Sequence, residues 1–459
     1  MLSRREVLRR GAAIAGPTFV FGLGPGARAT VRHAAAVRHI RQDARRAYLI
    51  LKEQFAASSN YWQLGCCFDT MTDCLRIIGP ATDPELPKLA LQRYSATTGA
   101  WYDDFAWWAI AAAKAYDPAF KNIFREFARS FTGIAQGCWG VVDEGMNDGV
   151  HNGAPQVYEN RDNEAFFTHP PVVPRYWLKP RFDGGRGSGL HGVWQKDIFA
   201  NERARPNWTG PVEFNPNPSI PSATNILGPY QTTVVNALYF LNAVRLEQAH
   251  RTNPAIPSTA VQMTDEYGFL RTWMGYDKAR PIEKAKKLLN EEFHDGTALI
   301  LERVSTYARH NGVNPKVENW DRRTSWGGDQ GLIINALAGY HQLRPDPLIP
   351  RLLRALLLGY ARHEVDRHGV PQPYYPITQN KLAQWDASDY ACGIGVFMRG
   401  VLQAARLNRS PVKAVVEARE FQAFLRRAVA WARTAKQDDL FSTLNVLATL
   451  LAGIELQRH

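Results

Sequence analysis

The sequence predicts an all-α protein closed into an α/α toroid. Three observations carry that prediction. Apolar residues recur at three- and four-residue spacing along most of the chain, no run alternates convincingly as a strand, and the helical segments are similar in length. Many of them come in successive pairs joined by short turns, the arrangement that stacks into solenoids or closes into toroids. With 459 residues, 45% of them hydrophobic and 13 of them Trp, the chain has enough apolar side chain for one large core.

The elements follow in order. Ile40, Ala44, Tyr48, Leu51 and Phe55 mark a first helix, and segments 66–79, 103–116 and 119–135 continue the pattern. Leu227, Tyr230, Val234, Leu238 and Leu241 mark the next, followed by a short helix near 264–274 and another over 281–293. Ile333, Leu337 and Tyr340 form a stripe, as do Ile349, Leu353, Leu356 and Tyr360. Ile394, Phe397, Val401 and Ala405 come next, then the segment 412–435, then Leu444, Leu447, Leu451 and Ile454. Between two of these helices, Leu343-Arg344-Pro345-Asp346-Pro347 uses proline to end one and open the next. No motif repeats at a fixed period, which argues for a closed ring over an open solenoid.

Residues 137–222 break the periodicity with ten Pro, eleven Gly and four Trp. The rings of Trp139, Trp177, Trp194 and Trp208 argue against disorder, so this stretch reads as an elaborated loop over one mouth of the toroid.

Ser3-Arg4-Arg5 opens an N-terminal segment whose apolar, Gly-rich run from Ala12 to Leu23 leads to Ala27-Arg28-Ala29. That is the pattern of a twin-arginine export signal cleaved before Thr30, which divides the chain into residues 1–29 and a toroid over 30–459. The apolar run falls well short of the ~20 residues a membrane span needs. The expected location is therefore periplasmic or secreted, with the twin-arginine machinery as a partner and no membrane span. Losing five Arg and one Glu with the signal lowers the formal charge from +12 to +8, spread without a basic stripe. Nucleic acid is not an expected partner. Cys66, Cys67, Cys74, Cys138 and Cys392 form no disulfide framework and no zinc spacing, and read as small buried apolar residues with at most one disulfide.

Asp103 and Asp104 stand side by side at a helix start, fenced by Trp101, Tyr102, Phe105, Trp107 and Trp108. One reading is capping, since Asp is favoured where the first N–H groups of a helix are free. The other is sugar hydrolysis, which takes one carboxyl as acid and one as nucleophile or base, about 5 Å apart when configuration is retained. Aromatic rings beside them would hold the apolar faces of pyranose rings. Residue types alone leave both readings open.

Tyr102-Asp103-Asp104-Phe105-Ala106-Trp107-Trp108-Ala109, running on to Lys114-Ala115-Tyr116, resembles the hallmark segment of family 76 glycoside hydrolases. Thr233 to Leu238 is similar to the family's helix with an inward Asn, here Asn236. Asp183-Gly184-Gly185 with Gly192-Val193-Trp194 is similar to its glycine-rich stretch ending in Trp. Trp326-Gly327-Gly328-Asp329-Gln330-Gly331 resembles a further segment, with Gly328 and Asp329 in place of an aromatic and an Asn. Asp389-Tyr390 and Gly393 to Arg399 resemble a late helix of the family. The resemblance implies an (α/α)6 toroid and a retaining α-1,6-mannanase or transglycosylase, with Asp103 as nucleophile and Asp104 as general acid/base.

The expected substrate is thus an oligosaccharide or polysaccharide, with Asp69, Trp101, Tyr102, Trp194, Asn236, Asp329, Gln330 and Asp386 as candidate binding residues. For Asn236 and Gln330 the alternative is satisfying neighbouring helices; for Asp69 it is a solvated face. Histidines show no metal-ligand spacing, and no nucleophile elbow, phosphate loop or dinucleotide glycine pattern occurs, so no metal or cofactor is expected. Two other classes stay open: a sugar epimerase on the same toroid, using paired His, and a glycan-binding protein whose carboxylates only cap.

Overall fold

The computed structural model describes residues 25–79, 83–99, 102–146, 230–273, 290–292, 295–300, 303–306, 325–375 and 390–457. The chain divides into two compact units, Met1–His39 and Ile40–Arg458. Of the first, residues 25–39 are described and are helical.

Among the described residues twelve helices exceed ten residues. They are α1 (Pro25–Ala57), α2 (Tyr61–Ile78), α3 (Leu86–Ala96), α4 (Tyr102–Ala113), α5 (Ala128–Met146) and α6 (Thr233–Thr252). They continue as α7 (Ala260–Trp273), α8 (Gly327–Leu343), α9 (Leu348–His363), α10 (Gly393–Arg406), α11 (Arg419–Ala432) and α12 (Leu440–Leu456). The even-numbered helices form a closed ring, each packing on the next and α12 returning to α2. Odd-numbered helices pack outside it: α5 on α4, α7 on α6, α9 on α8 and α11 on α12. This alternation is an (α/α)6 toroid.

Composition explains which helices go inside. α8 is buried at every position from Gly327 to Tyr340, and α12 at all but one from Phe441 to Gly453 through an almost unbroken run of Leu, Ala, Val and Thr. α11, on the outside, buries one stripe (Phe421, Phe424, Leu425, Ala428, Val429, Ala432) and leaves Arg and Glu outward, as an amphipathic surface helix does. Within the ring the closest approach is made by small residues. A Cβ at Gly400 would overlap the carbonyl of Gly331, so α8 and α10 cross backbone to backbone.

The six inner helices run in the same direction. Their first turns meet at one rim: Trp62 of α2 lies 5.3 Å from Phe441 of α12, and Asn445 of α12 accepts from Gly395 N of α10 at 2.7 Å. Their last turns meet at the other, where Glu455 of α12 bonds Arg76 of α2 and Arg406 of α10. Three two-stranded antiparallel ribbons decorate the structure: β1 (Tyr230–Thr232) with β4 (Arg303–Thr306), β2 (Asn290–Glu292) with β3 (Ala298–Ile300), and β5 (Ser325–Trp326) with β6 (Tyr374–Tyr375). β1 leads into α6 and β5 into α8, so two of the ribbons adjoin the rim of first turns.

Several expectations are corrected. Short strands exist, and residues 290–292 form β2 instead of helix; 281–289 lie outside the described residues. The helix that completes the twelve is α3, whose Pro87 sits in its first turn, where proline is tolerated. Residues 137–146, read as loop, continue α5, and Trp139 stacks on Tyr239 at 4.7 Å. The segment 412–435 is broken between Val416 and Arg419. The rest of the 137–222 stretch and the export signal up to residue 24 lie outside the described residues. The cleavage point before Thr30 falls within α1. All five cysteines are buried and none of them forms a disulfide.

Candidate active site

α4 begins with the two carboxylates and ends in alanine, the strongest helix former. Acidic side chains in its first turn face free N–H groups and the positive end of the dipole. Asp103, Asp104 and Phe105 are half-buried, while Ala106 to Ala113 are buried without exception. The doublet is therefore the accessible tip of a helix that otherwise runs through the core. Gly99 packs against it: a Cβ there would come within 2.9 Å of both the Asp104 Cβ and the Tyr61 ring.

The two tryptophans after the doublet diverge. Trp107 points into the ring, 6.1 Å from Trp62 and beneath the Arg399 guanidinium at 5.6 Å. Trp108 turns outward, donating from Nε1 to the Tyr61 carbonyl at 2.8 Å and packing on Phe68 and Tyr94. Each serves a different layer, as successive helical positions about 100° apart must.

The other inner helices bring further candidates to the same rim. Asn236 lies at the start of α6 and Asp329 in the first turn of α8, both buried. Trp326 folds its indole over Gly328, where a Cβ would overlap the ring, and donates from Nε1 to the Tyr390 carbonyl at 2.9 Å. Behind it Ser325 Oγ donates to Glu364 Oε1 at 2.5 Å, and burial pushes the Glu364 carboxyl well above its usual pKa.

Three expected site residues serve the fold instead. Gln330 donates from its amide to the Ile300 carbonyl at 2.7 Å and accepts from Ile300 N at 3.0 Å, so it pins β3 to α8 and has no face turned to a sugar. Asp69 sits about 12 Å below the start of α2, eight residues in at ~1.5 Å each. There it pairs with Lys114 at 2.5 Å and Arg399 at 3.0 Å. Burial alone would raise its pKa, but Lys114 and then Arg399 outweigh it and hold the carboxyl well below the usual range. Tyr102 is buried in the core cluster, not presented as a platform. Trp101, Trp194 and Asp386 lie outside the described residues.

Trp62 was not among the candidates read from the sequence. Trp62 is half-buried at the start of α2 with rings on two sides, the position a sugar platform would hold; an isolated Trp before a Cys pair carries no such signal in sequence. Among the described residues no histidine lies in the first turns of the inner helices: His250 and His341 are on the last turns of α6 and α8, and His363 is on outer helix α9.

No family model matches the chain, and no curated protein matches it. Solved structures do. An inactive variant of the family 76 α-1,6-mannanase of Salegentibacter sp. HEL1_6, in complex with α-1,6-mannotriose, superposes with a TM-score of 0.56 at 13% identity, covering 91% of this chain and 100% of that one. Dfg5 of Chaetomium thermophilum in complex with glucosamine gives 0.52 at 14% identity, over 91% of this chain and 90% of that one. The family 76 α-mannanase of Bacteroides thetaiotaomicron gives 0.50 at 9% identity, over 90% and 95%. By these comparisons the chain shares the (α/α)6 toroid of family 76 glycoside hydrolases.

Proposed function

We propose that the protein is an exported retaining glycoside hydrolase, or transglycosylase, acting on α-linked, mannan-like glycans. The observation that carries this reading is the doublet itself: two adjacent carboxylates form the accessible tip of an otherwise buried inner helix, on the rim where all six inner helices begin. In the Salegentibacter α-1,6-mannanase, the inactive variant seen with mannotriose has two sequence-adjacent aspartates changed to asparagine. That supports assigning the chemistry here to Asp103 and Asp104.

In this mechanism Asp103 attacks the anomeric carbon while Asp104 protonates the departing glycosidic oxygen. Asp104, now ionised, takes a proton from water or from a sugar hydroxyl, which displaces Asp103 and restores the configuration. The positive end of the α4 dipole lies beside the doublet, where a carboxylate is favoured. Trp62 would hold the glycan chain beside them.

The test is hydrolysis of a panel of α- and β-linked oligosaccharides, including α-1,6-mannan, by the wild type, Asp103→Asn and Asp104→Asn. Cleavage by the wild type alone, with the anomeric configuration retained by NMR, is the expected result. Equal cleavage by all three would make the doublet a helix cap. Export is tested separately, by replacing Arg4 and Arg5 with Lys and following the protein to the periplasm.

A further inference from the structure

At the opposite end of the ring, the last turns of α4, α6, α8 and α10 enclose a cavity of about 230 Å3. Its charged and amide side chains are Lys114, Asp117, Arg245, Gln248, Asn335 and Gln403; the hydroxyl residues Tyr116 and Thr252 also line it, and most of the remainder is apolar. Four of these six are engaged within the fold. Lys114 bonds Asp69, Asp73 and Thr72, and Gln403 donates to Asp73. Gln248 donates to Gln342 at 3.3 Å, and Asp117 accepts from Ala119 N at 2.8 Å.

The other two have donors to spare. Asn335 is 7% exposed and its side chain makes no hydrogen bond among the described residues. Arg245 donates once, from Nη1 to the Ile110 carbonyl at 2.5 Å, and no carboxylate lies within ion-pair distance of it among the described residues. That one bond is an ordinary cation cap on the last turn of α4. It accounts for one of the five N–H groups of a guanidinium. Spare N–H groups of Arg245 and Asn335 line the cavity, and the charges of Asp69, Asp73 and Asp117 also act on Arg245.

We propose that this cavity is a second, distal binding site for a small oxyanion, a carboxylate or phosphate group, received by the Arg245 fork and the Asn335 amide. A planar guanidinium matches the paired oxygens of either group. The volume is below the roughly 300–1,000 Å3 of pockets that take drug-sized ligands, so the ligand is no larger than about one sugar unit. The site is at the far end of the ring from Asp103 and Asp104 and does not depend on their chemistry.

Calorimetric titration of the full chain with inorganic phosphate, D-glucuronate and D-mannose at constant ionic strength tests this. Saturable binding of an anion, with no binding of mannose, is expected. Tighter binding of phosphate would assign the site to a free or ester phosphate, tighter binding of glucuronate to a sugar acid. Arg245→Gln should weaken anion binding at least ten-fold. Asn335→Asp, nearly isosteric, should do the same by placing a like charge on the wall, and Asp103→Asn should leave it unchanged. Absence of anion binding by folded wild type, equal binding of mannose, or undiminished affinity in folded Asn335→Asp would each overturn the proposal.

Discussion

Lys114 and Asp69 meet at 2.5 Å inside the helical ring, where their side chains are only 3% and 1% exposed. Lys114 also reaches Asp73 at 2.9 Å, so one ammonium holds two buried carboxylates, with Arg399 closing the cluster on Asp69. Removing one partner of such a group leaves uncompensated charge in the core and costs about 3–5 kcal/mol. Lys114→Met is expected to lose that much in urea unfolding at pH 7, and Asp73→Asn added to it should recover part. Because the folded pKa of Asp69 is depressed, its contribution is present above the unfolded value, near 4, and is lost as pH falls through the folded one.

Glu266 on α7 has the opposite sign. It is fully buried, neither carboxyl oxygen has a partner among the described residues, and burial, with Asp265 adding to it, raises its pKa well above normal. A raised acid binds its proton in the folded state after the unfolded chain has released it, so stability falls as pH rises past about 4.5. Glu266→Gln should therefore match wild type near pH 4 and melt at a higher temperature at pH 8. Equal melting curves at both values would show that the side chain is not the titrating group.

Gln330→Leu separates structure from substrate binding. The substitution strips partners from Ile300 N and O, at roughly 1–3 kcal/mol for each buried group left unpaired. Melting temperature should fall while KM for an oligosaccharide substrate stays within about two-fold, set by the KM-against-Tm comparison. A large rise in KM with an unchanged melting temperature would return Gln330 to the substrate cleft.

Trp62→Ala is the converse experiment. An aromatic pairing is worth about 0.5–1.5 kcal/mol beyond its buried area, so KM should rise about two- to ten-fold with kcat little changed. Product lengths from a long mannan would report whether the lost ring held the chain.

For the doublet, Asp104→Asn should lower kcat by about 10²–10⁴-fold, the usual contribution of general acid–base catalysis. Part of that loss should return with an aryl glycoside, whose leaving group needs no proton. Asp103→Asn should show no such recovery, since no leaving group substitutes for the nucleophile.

The layout of helices was legible because period-3.6 burial is written locally. Ile40, Ala44, Tyr48, Leu51 and Phe55 are all buried on α1, as their spacing required. α3 escaped because only Leu86, Pro87 and Ala90 are buried along it, too few for a stripe. Ribbons of two to four residues are too short for alternation to register. At the site, the doublet stood out because its two carboxylates are adjacent in sequence. Asp69, Lys114 and Arg399 are brought together only by ring closure, and nothing local announces their pairing. Gln330 could be read either way because a glutamine amide serves a peptide group as well as it serves a hydroxyl.

The backbone contact of Gly331 with Gly400 has a consequence for how this scaffold changes over time. With no room for a methyl group at the crossing, the wall between α8 and α10 is rigidly specified, and a Gly400→Ala step is blocked by overpacking of about 1–3 kcal/mol. Connections between helices are in general less restricted, since doubling a connecting loop costs only about 0.6 kcal/mol. Selection can therefore lengthen, shorten or rewrite connections while inheriting the barrel wall unchanged. Under the proposed function, glycan preference is free to drift far faster than the architecture.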